Sequence, residues 1–213
     1  MTNILLLPQL DGTKTIFNIP LNSDWLDAVY FTAPGSSQVP LTILGSVTTG
    51  SNIFTLSAQS PLTTLAGVIP GMPFTAAPGF PLGGFVGAVT SSTTVTLVNA
   101  AGAALNSTIT DAELTVTFVP LLIDCTGIRF RAHIRPAPGS GVLHLGCDTN
   151  SGTIINGGNT GAVGFFVPQV TIGNLPVGTW VMDILAIADG HVINLFQNAP
   201  ATVIVGAGVT TYP

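Results

Sequence analysis

Arg129, Arg131, His133 and Arg135 occupy alternate positions of one short segment, Gly127 to Arg135, and include three of the four basic residues in a chain of 213. Guanidinium and imidazole groups at that spacing bind carboxylates and other anions through charge-assisted hydrogen bonds. A β-strand there carries all four on one face and Ile128, Phe130, Ala132 and Ile134 on the other. With 6% charged residues in the chain, such a row fits a face built for a specific partner, since solubility alone is served by scattered charges. The plainer alternative is a solvated strand face. Few acids can answer the row. Asp183 shares its strand face with Val181 and Leu185, opposite Trp180 and Met182, and is the candidate internal ion-pair partner. Asp24 and Asp27 are the most clustered acids and could meet the row from a neighbouring subunit. Both readings stay open, because exposed ion pairs contribute only about 0–1 kcal/mol.

Two thiols and two imidazoles, Cys125, His133, His144 and Cys147, bracket the same strand, and His144-x-x-Cys147 is a chelating spacing. The set admits a zinc site, a Cys125–Cys147 disulfide or two buried free thiols. No Cys-x-x-Cys knuckle is present, and free cysteine commonly behaves as a small hydrophobe, so buried thiols are expected and no metal. Nucleophilic catalysis needs a base beside Ser or Cys and an orienting acid, and His133, His144 and His191 lie in no such setting. The nine acids fall mostly in turns or at strand edges, which gives no pair for glycoside hydrolysis. The expectation is a non-enzyme without a cofactor. Gly83-Gly84, Gly157-Gly158 and Gly206-Ala-Gly208 lack the strand-to-helix context and the lysine of a phosphate cradle. Trp180, in an alternating strand, is expected in the core.

The elements that must position these residues are strands. A hydrophobic content of 46% is ample for a core, and 25 Gly and 16 Pro alongside abundant Thr and Val favour short strands joined by tight turns. Apolar runs are interrupted well before the ~20 residues of a spanning helix, and the first residues do not read as a signal peptide. A net charge of −5 with four cations cannot neutralise a tract of phosphates, so neither nucleic acid nor an anionic membrane is an expected partner. So weakly charged a surface points to a homo-oligomer or larger assembly.

Strands are expected over Thr15 to Ile19 and Ala28 to Thr32, with one helical turn at Trp25 to Asp27. From Ser46 to Phe118 Arg, Lys and His vanish and Thr-rich alternating runs take over at 52–56, 84–89, 93–98 and 113–118. The segments 39–45 and 119–124 echo one another like stumps of an insertion. The expected domains are therefore 1–45 plus 119–213, interrupted by an inserted β module at 46–118. Beyond it, the arginine strand turns through 136–141 into Val142 to Leu145. Short strands follow at 164–167 and 170–172, then a hairpin of Trp180 to Ala188 and His191 to Phe196 about Asp189-Gly190, and a last strand from Ala201 to Val205.

The order Pro120 to Arg135, Leu175 to Ile184, Asp189-Gly190 and Ala201 to Thr210 resembles the small β-sandwich domains of bacteriophage tail tips, baseplates and fibre-attachment proteins. The likeness covers the chain from Pro120 onward and, more thinly, its N-terminal segment. The stretch from Thr48 to Phe118, which such proteins usually lack, resembles a Thr/Val-rich module of phage structural proteins through Gly71-Met72 and Thr93 to Leu97. The resemblance implies an all-β, split antiparallel β-sandwich with an inserted β domain. It further implies a virion location, assembled in the host bacterial cytoplasm, and an adaptor role between tail and fibres. The implied partners are copies of itself and other tail or fibre proteins. A glycan-binding receptor module or a capsid decoration protein is the competing expectation.

Overall fold

A computed structural model describes residues 16–75, 79–80, 84–196 and 199–206. The chain divides into two compact units, Met1–Phe31 with Leu122–Pro213, and Thr32–Leu121. Both are built from β-strands, as the composition requires. No helix among the described residues is long and apolar enough to cross a membrane.

The first unit begins with β1 (Ile16–Pro20) and β2 (Trp25–Tyr30). The helical turn expected at Trp25 to Asp27 is strand instead, because Trp25 and Val29 alternate into the interior and β2 gains a partner strand later in the chain. The second unit contains β3 (Leu41–Val47), β4 (Ile53–Leu56), β5 (Pro73–Thr75), β6 (Gly84–Ser91), β7 (Thr94–Val98) and β8 (Asp111–Phe118). These close into a barrel in the order β3-β4-β7-β6-β5-β8. Closure leaves no sheet edge, and alternate residues fill the interior: Ile43, Phe54, Met72, Val95, Val116 and Phe118 are fully buried. Gly45 shows how tightly the wall is packed. A Cβ there would lie 2.6 Å from both Phe54 Cε2 and the Thr55 carbonyl oxygen. The unit is wider than the 46–118 stretch marked by composition. Leu41 to Gly45, most of the first echoing segment (39–45), pairs with β8 and belongs to the barrel.

The chain re-enters the first unit with β9 (Arg129–Arg135) and β10 (Leu145–Asp148), followed by β11 (Ile154–Asn156), β12 (Ala162–Val167), a helical turn α1 (Gln169–Ile172), β13 (Gly178–Ala188), β14 (His191–Asn194) and β15 (Ala201–Gly206). One sheet runs β1-β15-β13-β9-β10, with β14 also paired to β13, and a second runs β11-β12-β2. Their apolar faces meet through aromatic rings: Phe17 of β1 lies edge-on to Trp25 and Phe165, which stack on each other at 4.7 Å, and Phe130 of β9 stacks on Phe31 at 5.7 Å. The Asp189-Gly190 hairpin forms as read, with φ of 49° and 78° at the two turn residues. The expected strand at 170–172 is a helical turn, in which the Ile172 and Gly173 amides bond back to the Pro168 and Gln169 carbonyls at 3.2 and 2.8 Å.

Candidate functional site

Strict alternation makes β9 what the sequence suggests: Phe130, Ala132 and Ile134 are buried, and Arg129, Arg131, His133 and Arg135 line the other face, half-buried. Two neighbours flank the row. On β13, Val181, Asp183, Leu185 and Ile187 stand opposite Arg135, His133, Arg131 and Arg129, and on β10 Asp148 stands opposite Arg131 and Gly146 opposite His133.

Asp148 is the carboxylate that organises the row. Arg129 donates Nε to Oδ1 at 3.0 Å and Nη2 to Oδ2 at 2.6 Å, and Arg131 donates Nε to Oδ2 at 3.0 Å. One acid thus clamps two guanidinium groups. The local chain explains its position: Oδ1 accepts the Asn150 amide at 2.7 Å and caps the 3₁₀ turn Thr149–Ser151, which Gly152 closes in the left-handed region. Thr149 Oγ1 then bridges both backbone groups of Phe130 and extends the ladder past the end of β10. The Arg129 guanidinium above all holds the Asp148 carboxyl far below the ordinary aspartate range; burial opposes it, and the cap hydrogen bond from Asn150 and the bond from Arg131 add to the lowering. Arg129 is reciprocally raised.

The expected partner, Asp183, makes no ion pair with an arginine among the described residues. The register places it across from His133, while Arg129 and Arg131 bond to β10 on the other side. Burial, followed by the charges of Arg135 and Arg131, pushes the His133 pKa below the ordinary histidine value, and Asp183 and Asp148 only partly offset this. Arg135 donates Nη1 to the Ser140 carbonyl at 2.8 Å and so ties the turn that joins β9 to β10. Asp24 and Asp27 lie on and beside β2, in the other sheet. Asp24 accepts the Gln169 amide, and Asp27 accepts the amide of Ala28, each at 2.8 Å.

The four candidate metal ligands do not converge. Cys147 points into the core from β10, His133 faces outward, Cys125 is buried in the loop before β9, and His144 lies edge-on to Trp180 at 4.5 Å. Among the described residues no three His, Cys, Asp or Glu side chains could share a metal ion. Both cysteines are free and buried, and burial pushes their thiols up to about 11 for Cys125 and about 12 for Cys147. Trp180 is only half-buried, donating its Nε1 to the Pro176 carbonyl at 3.0 Å. The core indole is Trp25.

Asp148 and Thr149 are the side chains organising the row that sequence reasoning misses. It starts the return strand at Val142, whereas β10 begins at Leu145, and only the later register brings Asp148 opposite Arg131. A shallow groove of about 500 Å³ opens beside the clamp, lined by Arg129, Thr149, Asn150, Ile155 and Asn156. Asn156 spends both side-chain functions internally, on the Cys125 and Ile128 carbonyls and the Gly158 amide. The arrangement presents fixed cationic edges and no acid–base pair beside a nucleophile. Comparison with known proteins finds no matching family model, no matching curated protein and no matching solved structure.

Proposed function

We propose that the protein is a structural subunit of a bacteriophage tail, at the tip, baseplate or neck, and that it joins the tail to its fibres. The two sheets of the first unit then act as the docking β-sandwich, and the barrel as the inserted contact module. The observation that carries the reading is the Asp148 clamp. It fixes two arginines on a strand face, so ordering them against a neighbour's carboxylates costs little further side-chain entropy, and geometrically fixed cations suit a repeated contact between subunits. Asp24 and Asp27 of the next copy are the matching acids. The likeness of the segments from Pro120 onward to tail sandwiches supports the same assignment.

The groove beside Arg129 favours a second reading, a glycan-binding receptor or decoration module. Against it, no aromatic side chain lines that groove for a sugar ring to stack on. Glycan-array binding and adsorption blocking by the purified protein separate the two. The tail-subunit reading expects neither activity, and saturable glycan binding that Arg129→Ala abolishes would replace it with the receptor reading.

A further inference from the structure

We propose that the outer face of the β11-β12-β2 sheet binds a second copy of this chain, forming a two-fold dimer in which two such sheets stack face to face. The register puts Leu26, Ala28 and Tyr30 of β2, Ala162, Gly164 and Phe166 of β12, and Ile155 of β11 on one surface. It bears no charge. Leu26 is 68%, Tyr30 60%, Ile155 56% and Phe166 42% exposed, which together amount to roughly 500 Å² of accessible apolar surface at ordinary side-chain areas. The four residues thus supply over half of the about 800 Å² per partner that a standard interface buries.

Size and charge select a second copy as the occupant. The large residues sit at opposite ends of the face, with Leu26 paired to Phe166 at one and Tyr30 to Ala162 at the other, and the small Ala28 and Gly164 lie between them. A two-fold axis lying in the interface and crossing the strands at Ala28 and Gly164 exchanges the ends. It brings Phe166 of each copy over the hollow at Ala162 of the other, and Tyr30 over Leu26. Large side chains meet small ones along β12, and no charge is buried without a partner.

Edge-to-edge association of β2 is the competing geometry. The Phe31–Gly161 bond fixes the ladder phase, so the amide of Ala28 points away from β12, and Asp27 Oδ1 already accepts it. A carboxylate turned over that edge obstructs an added strand there.

The test is sedimentation of the full chain over a concentration series. The wild type is expected to pass from monomer to dimer. Phe166→Asp and Ala162→Phe, which respectively charge the face and fill its hollow, are each expected to raise the dissociation constant by more than about tenfold. Val192→Asp, on an exposed apolar residue of the other sheet, is expected to leave it unchanged. An Ala28→Cys protein is expected to be captured as a covalent dimer by a short thiol-reactive cross-linker, because Ala28 faces its copy near the axis and Cys125 and Cys147 are buried. A wild type that sediments as a monomer throughout overturns the inference. A dimer that survives both Phe166→Asp and Ala162→Phe overturns it as well. Neither result touches the tail-subunit reading, which rests on particle incorporation.

Discussion

Asp148 is worth more to this face than any one arginine, because it restrains two guanidinium groups and caps a turn at once. Asp148→Ala is expected to lower stability by about 1–2 kcal/mol, the cap supplying most of it, since the arginines are partly solvated; urea denaturation reads the change. The pH dependence has a definite sign. The folded carboxyl titrates below its unfolded value, so its contribution is complete above about pH 3.9 and is lost progressively as acidity rises beyond that. Acid unfolding of Asp148→Asn should therefore lack part of the wild-type slope below that pH, and identical profiles would remove the clamp from the stability account. The two thiols make a separate prediction. Buried and raised in pKa, Cys125 and Cys147 should react with a thiol reagent at neutral pH only as fast as the protein opens, and rapid labelling in native buffer would contradict their placement.

Single strands carry this chemistry only in the right register, and register is where sequence reasoning succeeds and fails. The face of β9 is legible because period-two alternation needs no partner to be read. The hairpin at Asp189-Gly190 is equally legible, since a two-residue turn fixes its own register. The β9–β10 pair is not. Its connection contains Pro136, Pro138 and two φ-permissive glycines, Gly139 and Gly141, so the local sequence does not reveal where pairing resumes, and three residues of displacement conceal Asp148. Likewise β2 reads locally as a helical turn after Asn22-Ser23-Asp24, and pairing with β12, far along the chain, decides otherwise. Packing at this scale is testable in each unit. Phe130→Ala, which empties the stack against Phe31, is expected to cost about 3–5 kcal/mol. Gly45→Ala, which drives a methyl group against Phe54 and the Thr55 carbonyl, is expected to cost about 1–3 kcal/mol. Thermal or urea unfolding monitored for each variant reads both.

At the scale of the whole chain, an inserted β module is legible as a change of composition, because Arg, Lys and His drop out of 46–118 while Thr-rich alternation takes over; its closure into a barrel is not, since that depends on the pairing of strands distant in sequence. Its borders are not legible either, since β3 carries no compositional mark and is assigned by its partner, β8. Each unit closes on itself at the junctions: Ile123 donates its amide to the Phe31 carbonyl at 2.9 Å in the first, and Ala33 to the Leu121 carbonyl at 2.7 Å in the second. Replacing 32–121 by a short Gly/Ser linker should therefore leave a folded first unit with a cooperative melt. Loss of cooperative unfolding would show that it depends on the insertion. The central claim, a tail subunit, is tested most directly by density-gradient fractionation of a lysate followed by mass spectrometry of the purified particles. The account predicts the protein in the particle band, in a copy number set by tail symmetry, and retained after removal of the capsid; a protein found only in the soluble fraction would contradict it.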